Sequence, residues 1–497
     1  MVGSLDNAVS VGDTTQSRRA VSVIAALCVL LYVNWFFAIA RFQPNVMFMD
    51  QWDYLLPLFN GQGWWWRFVQ QQGPVREGLG LVVTGWILEA TAWDVRYDSL
   101  WIATALLIAT VLALRVKWKM AGSLTLRDSW IALFGLSLGH FETIVSVPNA
   151  SHSVVPLALI LLAANFWLSS RPSTRYLGAA ATAFALTFTG FGLFASGVIA
   201  VLLAARVIRH ALDRHYRVMA LGLIAIVVIV AGWTRFSRDY VFLPAVEGFR
   251  FPWTPWTDYV HFVVLMLNLP TARVGAEVRH YLLGIGLGLV VVFSVVGIAR
   301  LWFRHRPSLN DDVLMLLMGS GLLFITATAI GRVSLGILGG TMSRYLPLMF
   351  PTWLAVYLAA ITSYKRSRLA ASVCVWLLVV LPYTAMVRRP LAEWPGTLGA
   401  MNGQVEAMAF FGMSKIAWAR AYLATGSWKA AQCAVRQVIY PNPEVSRFDD
   451  KLRFLRRHEL SFFAGRVDES EYLPWLASDD FSDVNCPSSD SNLHVCR

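Results

Sequence analysis

The sequence predicts an all-α polytopic membrane protein, and three observations carry that expectation. Hydrophobic residues make up 57% of the 497-residue chain and charged residues 14%, with a mean hydropathy of +0.54. That is too apolar for a soluble globule of ordinary composition. Apolar runs that approach or exceed the roughly 18 to 20 residues spanning a bilayer core recur along most of the chain. The formal charge of +12 sits in short basic clusters between those runs, a pattern of membrane topology. No basic domain remains to grip a polyanion, so membrane lipids are expected as partners and nucleic acid is not.

Taken in order, a polar N-terminal arm (1–19) ends in Arg18 and Arg19 and leads into the apolar run 20–40. That run is longer than a usual signal-peptide core and lacks a small-x-small exit, so it reads as a retained first helix. Further spans are expected at 98–116, 129–145, 152–169, 174–189, 191–208, 218–235, 280–302, 312–331, 343–363 and 369–387, about eleven in all. The connecting runs alternate in character. Short basic ones (Arg115/Lys117/Lys119, Arg171/Arg175, Arg206/Arg209, Arg300/Arg304/Arg306, Lys365/Arg366/Arg368) alternate with less basic ones rich in Trp, Pro and Gly, among them 41–97 and 236–279. The positive-inside bias places the basic set in the cytoplasm, with the N-terminus inside and the C-terminus outside.

Two apolar runs, Gly78 to Ala92 and His261 to Leu269, are short for a crossing and read as outer interfacial or re-entrant helices. Together the expectations define a transmembrane module over 20–387 and a small, mainly helical extracytoplasmic domain over 388–497. In that domain helices are expected at 400–424, 427–438 and 448–463, with a break at Tyr440-Pro441-Asn442-Pro443. No two of the five cysteines have metal-ligand spacing. Cys486 and Cys496, in the polar tail, are candidates for a disulfide if the tail lies in an oxidising compartment.

The first outer loop concentrates the chemistry. Between Met47 and Gly80 it carries Asp50, Asp53, Arg67, Arg76 and Glu77 among Trp52, Tyr54 and Trp64–Trp66. A spacing of three puts both aspartates on one face of a helix. One carboxylate can then take a proton from a hydroxyl while the other orients it or helps hold a divalent cation. The plainer alternative is a pair of solvated interfacial acids. Aromatic faces beside the acids suit a sugar ring, which makes Trp52 and Tyr54 candidate cavity residues. Arg76 can grip a phosphate bidentately, with generic headgroup contact as its plainer role, and the adjoining Glu77 is a further candidate cavity residue.

A second constellation, Arg332 and Ser343-Arg344-Tyr345, flanks a glycine-rich loop on the expected outer side, against the positive-inside trend. Phosphate binding explains it, and helix-end snorkelling is the alternative. His140, Glu142 and His152 gather near the same face as polar cavity lining. Their spacing fits no specific metal motif. Arg235, Arg238, Asp239 and Trp253/Trp256 are candidates for the far wall.

One short arm, one span, then a long outer loop with an early acidic motif resembles the GT-C superfamily of membrane glycosyltransferases. The likeness covers roughly 20–390, and DQWDY, GR and SRY resemble motifs of bacterial members. The resemblance implies a polyprenyl-phosphate-linked sugar as donor and a glycan, glycolipid or protein as acceptor. It implies Asp50 or Asp53 as base, Arg332 and Arg344 as lipid-phosphate contacts, and a site facing the periplasm or exterior of a bacterial inner membrane. The chain has Val75-Arg76 where His-Arg would be expected. Two other classes stay open. A transporter or flippase of a lipid-linked glycan would place its polar groups at mid-membrane in broken helices. A non-catalytic scaffold would leave the acid pair unexplained.

Overall fold

Apolar runs of this length can satisfy their backbone in a bilayer only by closing hydrogen bonds within each segment, as helices do. The computed structural model describes residues 11–241, 250–269, 278–303, 307–363, 404–433, 435, 438–441, 443 and 447–464. The N-terminal part begins with α1 (Val11–Phe42). Three short helices follow in the first loop: α2 (Gln51–Tyr54), α3 (Leu56–Phe59) and α4 (Trp64–Val69). A small hairpin of β1 (Gln71–Gln72) and β2 (Val75–Arg76) leads into α5 (Gly78–Ala90). The bundle then comprises α6 (Val95–Ala121), α7 (Ser129–Gly135), α8 (Val154–Trp167), α9 (Pro172–Thr187), α10 (Gly192–Leu212) and α11 (Tyr216–Ser237). It continues through α12 (Thr257–Asn268), α13 (Val278–Trp302), α14 (Leu309–Arg332) and α15 (Leu346–Ser363). The C-terminal part holds α16 (Gln404–Thr425), α17 (Trp428–Cys433) and α18 (Phe448–Arg457).

Among the described residues, seven helices are long and apolar enough to cross a membrane: Arg18–Phe42, Val95–Ala121, Gly192–Leu212, Tyr216–Ser237, Tyr281–Trp302, Leu309–Leu335 and Ser343–Thr362. The other expected spans fare differently. The run 369–387 lies outside the described residues. The runs 152–169 and 174–189 form α8 and α9, of 14 and 16 residues, shorter than a full crossing. The run 129–145 is not one helix. It stops at Gly135, passes through a 3-10 turn (Leu138–His140) and ends in a π-helical turn (Glu142–Ser146). The break has a local cause, because the Ser137 hydroxyl takes the Gly139 N–H (3.2 Å), competing with the helical ladder. The two interfacial candidates are indeed short helices, α5 with 13 residues and α12 with 12.

Local signals explain the boundaries. Asp94 caps α6 by accepting the Arg96 N–H at 3.0 Å, and Gly122 ends it at φ +78°. Ser308 and Asp311 form a capping box at the start of α14. Buried ion pairs join helix ends within the expected cytoplasmic basic runs. Arg206 meets Asp312 at 2.6 Å, with the Trp167 and Trp302 indoles each donating to that carboxylate at 3.0 Å. Lys117 meets Asp128 at 2.7 Å.

One hydrophobic core runs through the helix bundle, and a second joins the first loop to the C-terminal helices. In the second core Trp52 is fully buried, its ring 4.7 Å edge-on from Phe448 and 6.4 Å in parallel from Phe59. The expected boundary at 388 lies outside the described residues. The described C-terminal helices take their core partly from 46–95, so they depend on the first loop for burial. Cys433 is disulfide-bonded, whereas Cys486 and Cys496 lie outside the described residues.

Candidate functional site

The site is built where the first loop turns back onto the bundle. The hairpin pairs Gln71 with Arg76 and Gln72 with Val75, and the Gln72 amide donates to the Asp50 carbonyl at 3.1 Å. Glu77 then occupies the N-cap position of α5 without a side-chain capping bond. Gly78 has φ +48°, and a Cβ there would collide with the Phe188 carbonyl oxygen. A Cβ on Gly80 would collide with the Ser151 hydroxyl. This glycine edge lets the turn Ala150–His152 lie directly against Glu77. The Ser151 hydroxyl donates to the Glu77 carbonyl and lies 3.1 Å from the Tyr54 hydroxyl.

Glu77 is fully buried, and one of its carboxylate oxygens accepts from His152 Nε2 at 2.9 Å. Its second oxygen is buried with no hydrogen-bond partner among the described residues. The His152 side chain keeps 32% of its surface exposed. Burial opposes an imidazolium there, but Glu77, by charge and hydrogen bond, and Asp50, by charge, outweigh it. The His152 pKa therefore lies above its ordinary value of 6.5, even though Arg332 pulls it down.

Asp50 is partly exposed, and its carboxylate makes no hydrogen bond or ion pair among the described residues. Its charge is felt at both His152 and Arg344. Arg332 is exposed at the end of α14, likewise without a hydrogen-bond or ion-pair partner among the described residues. Glu142, opening the π-helical turn, accepts the Arg344 backbone N–H and the Ser343 hydroxyl, both at 3.3 Å. It also faces the Arg344 guanidinium at 3.8 Å. That guanidinium lies 5.6 Å from the ring of Tyr345, which is itself buried. Asp50, Glu77, Glu142, His152, Arg332, Arg344 and Tyr345 thus belong to one electrostatic neighbourhood assembled from six stretches of chain.

Other residues expected at the site do different work. Asp53 turns away to the C-terminal helices, where its carboxylate accepts from Lys451 at 3.1 Å and from the Tyr440 hydroxyl. The helical turn is only four residues long, so the two aspartates share a sequence motif and differ in partners. Arg76 is buried, with its guanidinium donating to the carbonyls of Val69, Phe236 (2.8 Å) and Arg238 (2.8 Å). Those bonds pin the hairpin to the end of α11, which leaves little of Arg76 to offer a phosphate. Trp52 and Tyr54 are both fully buried, so neither presents an open face to a sugar. His140 is buried and donates Nε2–H to the Phe134 carbonyl at 2.9 Å. The exposed aromatics are instead Trp64, Trp65 and Trp66, with Arg235 5.6 Å over the Trp65 ring. Among the described residues no group of three or more His, Cys, Asp or Glu side chains is placed to hold a metal ion.

Sequence reasoning passed over several buried polar groups. Asp98, at the start of α6, accepts from Thr84 (2.8 Å) and Gln51 (3.2 Å), tying α5 and the acidic loop to the bundle. An acid inside an apolar run was a usable signal. Lys415 of α16 is fully buried and donates to Gln43 and to the Val145 carbonyl, both at 2.7 Å. Burial pushes its pKa down to about 7. Nothing local in the sequence announces those partners.

The His152–Glu77 pair gives a pH prediction. A histidine whose folded pKa is raised contributes stability that is fully present below the unfolded value and is lost as pH rises through the folded value. Thermal stability in detergent should therefore fall as pH rises above 6.5 through that transition. In Glu77→Gln burial dominates what remains, so the transition should move downward. A stability profile with the same midpoint in both proteins would detach His152 from Glu77.

The fold and this cluster define the class as a helical membrane protein with a polar, charge-bearing site. Comparison with known proteins goes no further, because no protein-family model matches the chain and no curated protein is similar to it.

Proposed function

We propose that the protein is an inverting glycosyltransferase that moves a sugar from a polyprenyl-phosphate donor to an acceptor hydroxyl on the outer face of a bacterial inner membrane. One observation carries the reading: Asp50, a carboxylate without a hydrogen-bond or ion-pair partner among the described residues, shares its neighbourhood with His152 and with the arginines Arg332 and Arg344. Asp50 takes the acceptor hydroxyl proton as its oxygen attacks the anomeric carbon. The bond from that carbon to the phosphate oxygen breaks, and the lipid phosphate leaves with the electron pair. Arg332 and Arg344 stabilise the developing phosphate charge, with His152 as a further cation when protonated. Glu77 and Glu142 hold His152 and Arg344 in place. Asp53, held by Lys451 and Tyr440, anchors the motif.

The full count of about eleven spans, with the N-terminus inside and 388–497 outside, belongs to the same reading. Reporter fusions after Arg217 and Arg497 test it, since a cytoplasmic signal at Arg497 would put the C-terminal helices on the wrong side. The donor site has its own test. Arg332→Ala and Arg344→Ala should each weaken donor binding, with a charge-assisted contact contributing about 2 kcal/mol. Unchanged donor affinity in both variants would return the arginines to lipid snorkelling. Glycan analysis of cells with and without the gene then identifies sugar and acceptor.

A further inference from the structure

A second constellation of charge lies where the C-terminal helices meet the first loop. An open cavity of about 360 Å³ separates α18 from α3. Its α18 wall is a single stripe at helical spacing: Arg447, Asp450, Lys451, Phe454 and Arg457. Leu56, Phe59 and Asn60 form the opposite wall.

Not all of these charges are available. Lys451 is buried at the cavity floor and committed to Asp53, the Trp52 carbonyl and the Tyr440 hydroxyl. Arg453, also at the rim, pairs with Asp450 at 2.5 Å. Arg447, Arg457 and the Asn60 amide remain, each exposed and without a hydrogen-bond or ion-pair partner among the described residues. Arg447 also sits in the left-handed region at φ +52°, where a non-glycine residue is held at a cost. Two guanidinium groups and an amide without a partner among the described residues therefore face a concave site that also presents the apolar side chains of Leu56, Phe59 and Phe454. A surface merely solvated by charge needs neither the cavity nor the strained arginine.

We propose that this cavity binds a phosphate-bearing ligand, with Arg447 and Arg457 as its charge-assisted donors and Asn60 as a neutral one. Guanidinium forks match phosphate oxygens two at a time, and the apolar walls cover the body that carries the phosphate. Because Lys451 joins the cavity floor to Asp53, an occupied cavity lies one ion pair from the motif that bears Asp50.

Inorganic pyrophosphate is the probe, titrated calorimetrically into the full-length protein in neutral detergent. The titration is run on wild type, on Arg332→Ala/Arg344→Ala, and on that variant with Arg447→Asn/Arg457→Glu added. Asparagine tolerates the left-handed backbone at 447, and both side chains are exposed, so a thermal melt should report an intact fold. Saturable binding should persist in the first variant and weaken by about tenfold or more in the second. Absence of saturable binding in Arg332→Ala/Arg344→Ala, or equal binding once Arg447→Asn/Arg457→Glu is added to it, overturns the proposal. Because the first variant removes the donor arginines, failure here is separable from failure of the transferase reading. Repeating the titration in phosphatidylcholine nanodiscs with and without phosphatidylglycerol separates the sources. Competition by phosphatidylglycerol identifies a lipid headgroup, and its absence identifies a phosphate carried by a non-lipid ligand.

Discussion

Asp50→Asn is expected to lower sugar transfer by about 100-fold to 10,000-fold, the usual cost of losing a general base. Asparagine keeps the size of the side chain but cannot take the hydroxyl proton. The native carboxylate makes no hydrogen bond or ion pair among the described residues, so the fold should tolerate the change. Donor lipid should still bind through Arg332 and Arg344. Asp53→Asn is expected to behave differently, because its carboxylate holds the buried Lys451 ammonium and the Tyr440 hydroxyl. Its main effect should be a lower melting temperature, with transfer surviving in the folded fraction. Transfer by purified Asp50→Asn at the wild-type rate would remove the catalytic reading. Unimpaired movement of a lipid-linked glycan across the membrane by that variant would favour the transporter.

Arg76→Ala is expected to destabilise the protein by about 3 kcal/mol or more, since each buried polar group left unpaired costs roughly 1 to 3 kcal/mol. The guanidinium serves the carbonyls of Val69, Phe236 and Arg238 from a side chain that is almost wholly buried. Lysine should not rescue it, because one ammonium cannot reproduce the planar fork that spans those carbonyls. Thermal unfolding in detergent measures the loss, and donor binding by the folded fraction should stay normal. A stable Arg76→Ala protein with weakened donor binding would reverse the assignment and return Arg76 to the phosphate.

Much of the candidate site was legible before any fold was known. Two arginines on the less basic side of the chain stand against the usual charge bias, and Arg332 and Arg344 are the pair whose charges reach His152 and Asp50. The residues that proved misleading are those whose partners come from far along the chain. Trp52 and Tyr54 look like sugar platforms beside two acids, yet Phe448 and Ser151 occupy their surroundings. Glu77 and His152 are both candidate cavity residues by sequence, but their 2.9 Å contact depends on a glycine edge that only packing makes meaningful.

By itself, the sequence determined the helical membrane class, most segment boundaries and the short length of the helices α5 and α12. Hydropathy, capping and glycine placement act over one or two turns, so they can be read along a single stretch of chain. Tertiary structure decided which carboxylate is left without a partner among the described residues. Asp50 and Asp53 are three residues apart in one motif, and what distinguishes them is Lys451, nearly four hundred positions away. It also decided that 129–145 breaks into turns and that Arg76 serves backbone carbonyls. A charged side chain is defined by the groups that desolvate and pair it, and in this chain those groups come from other helices.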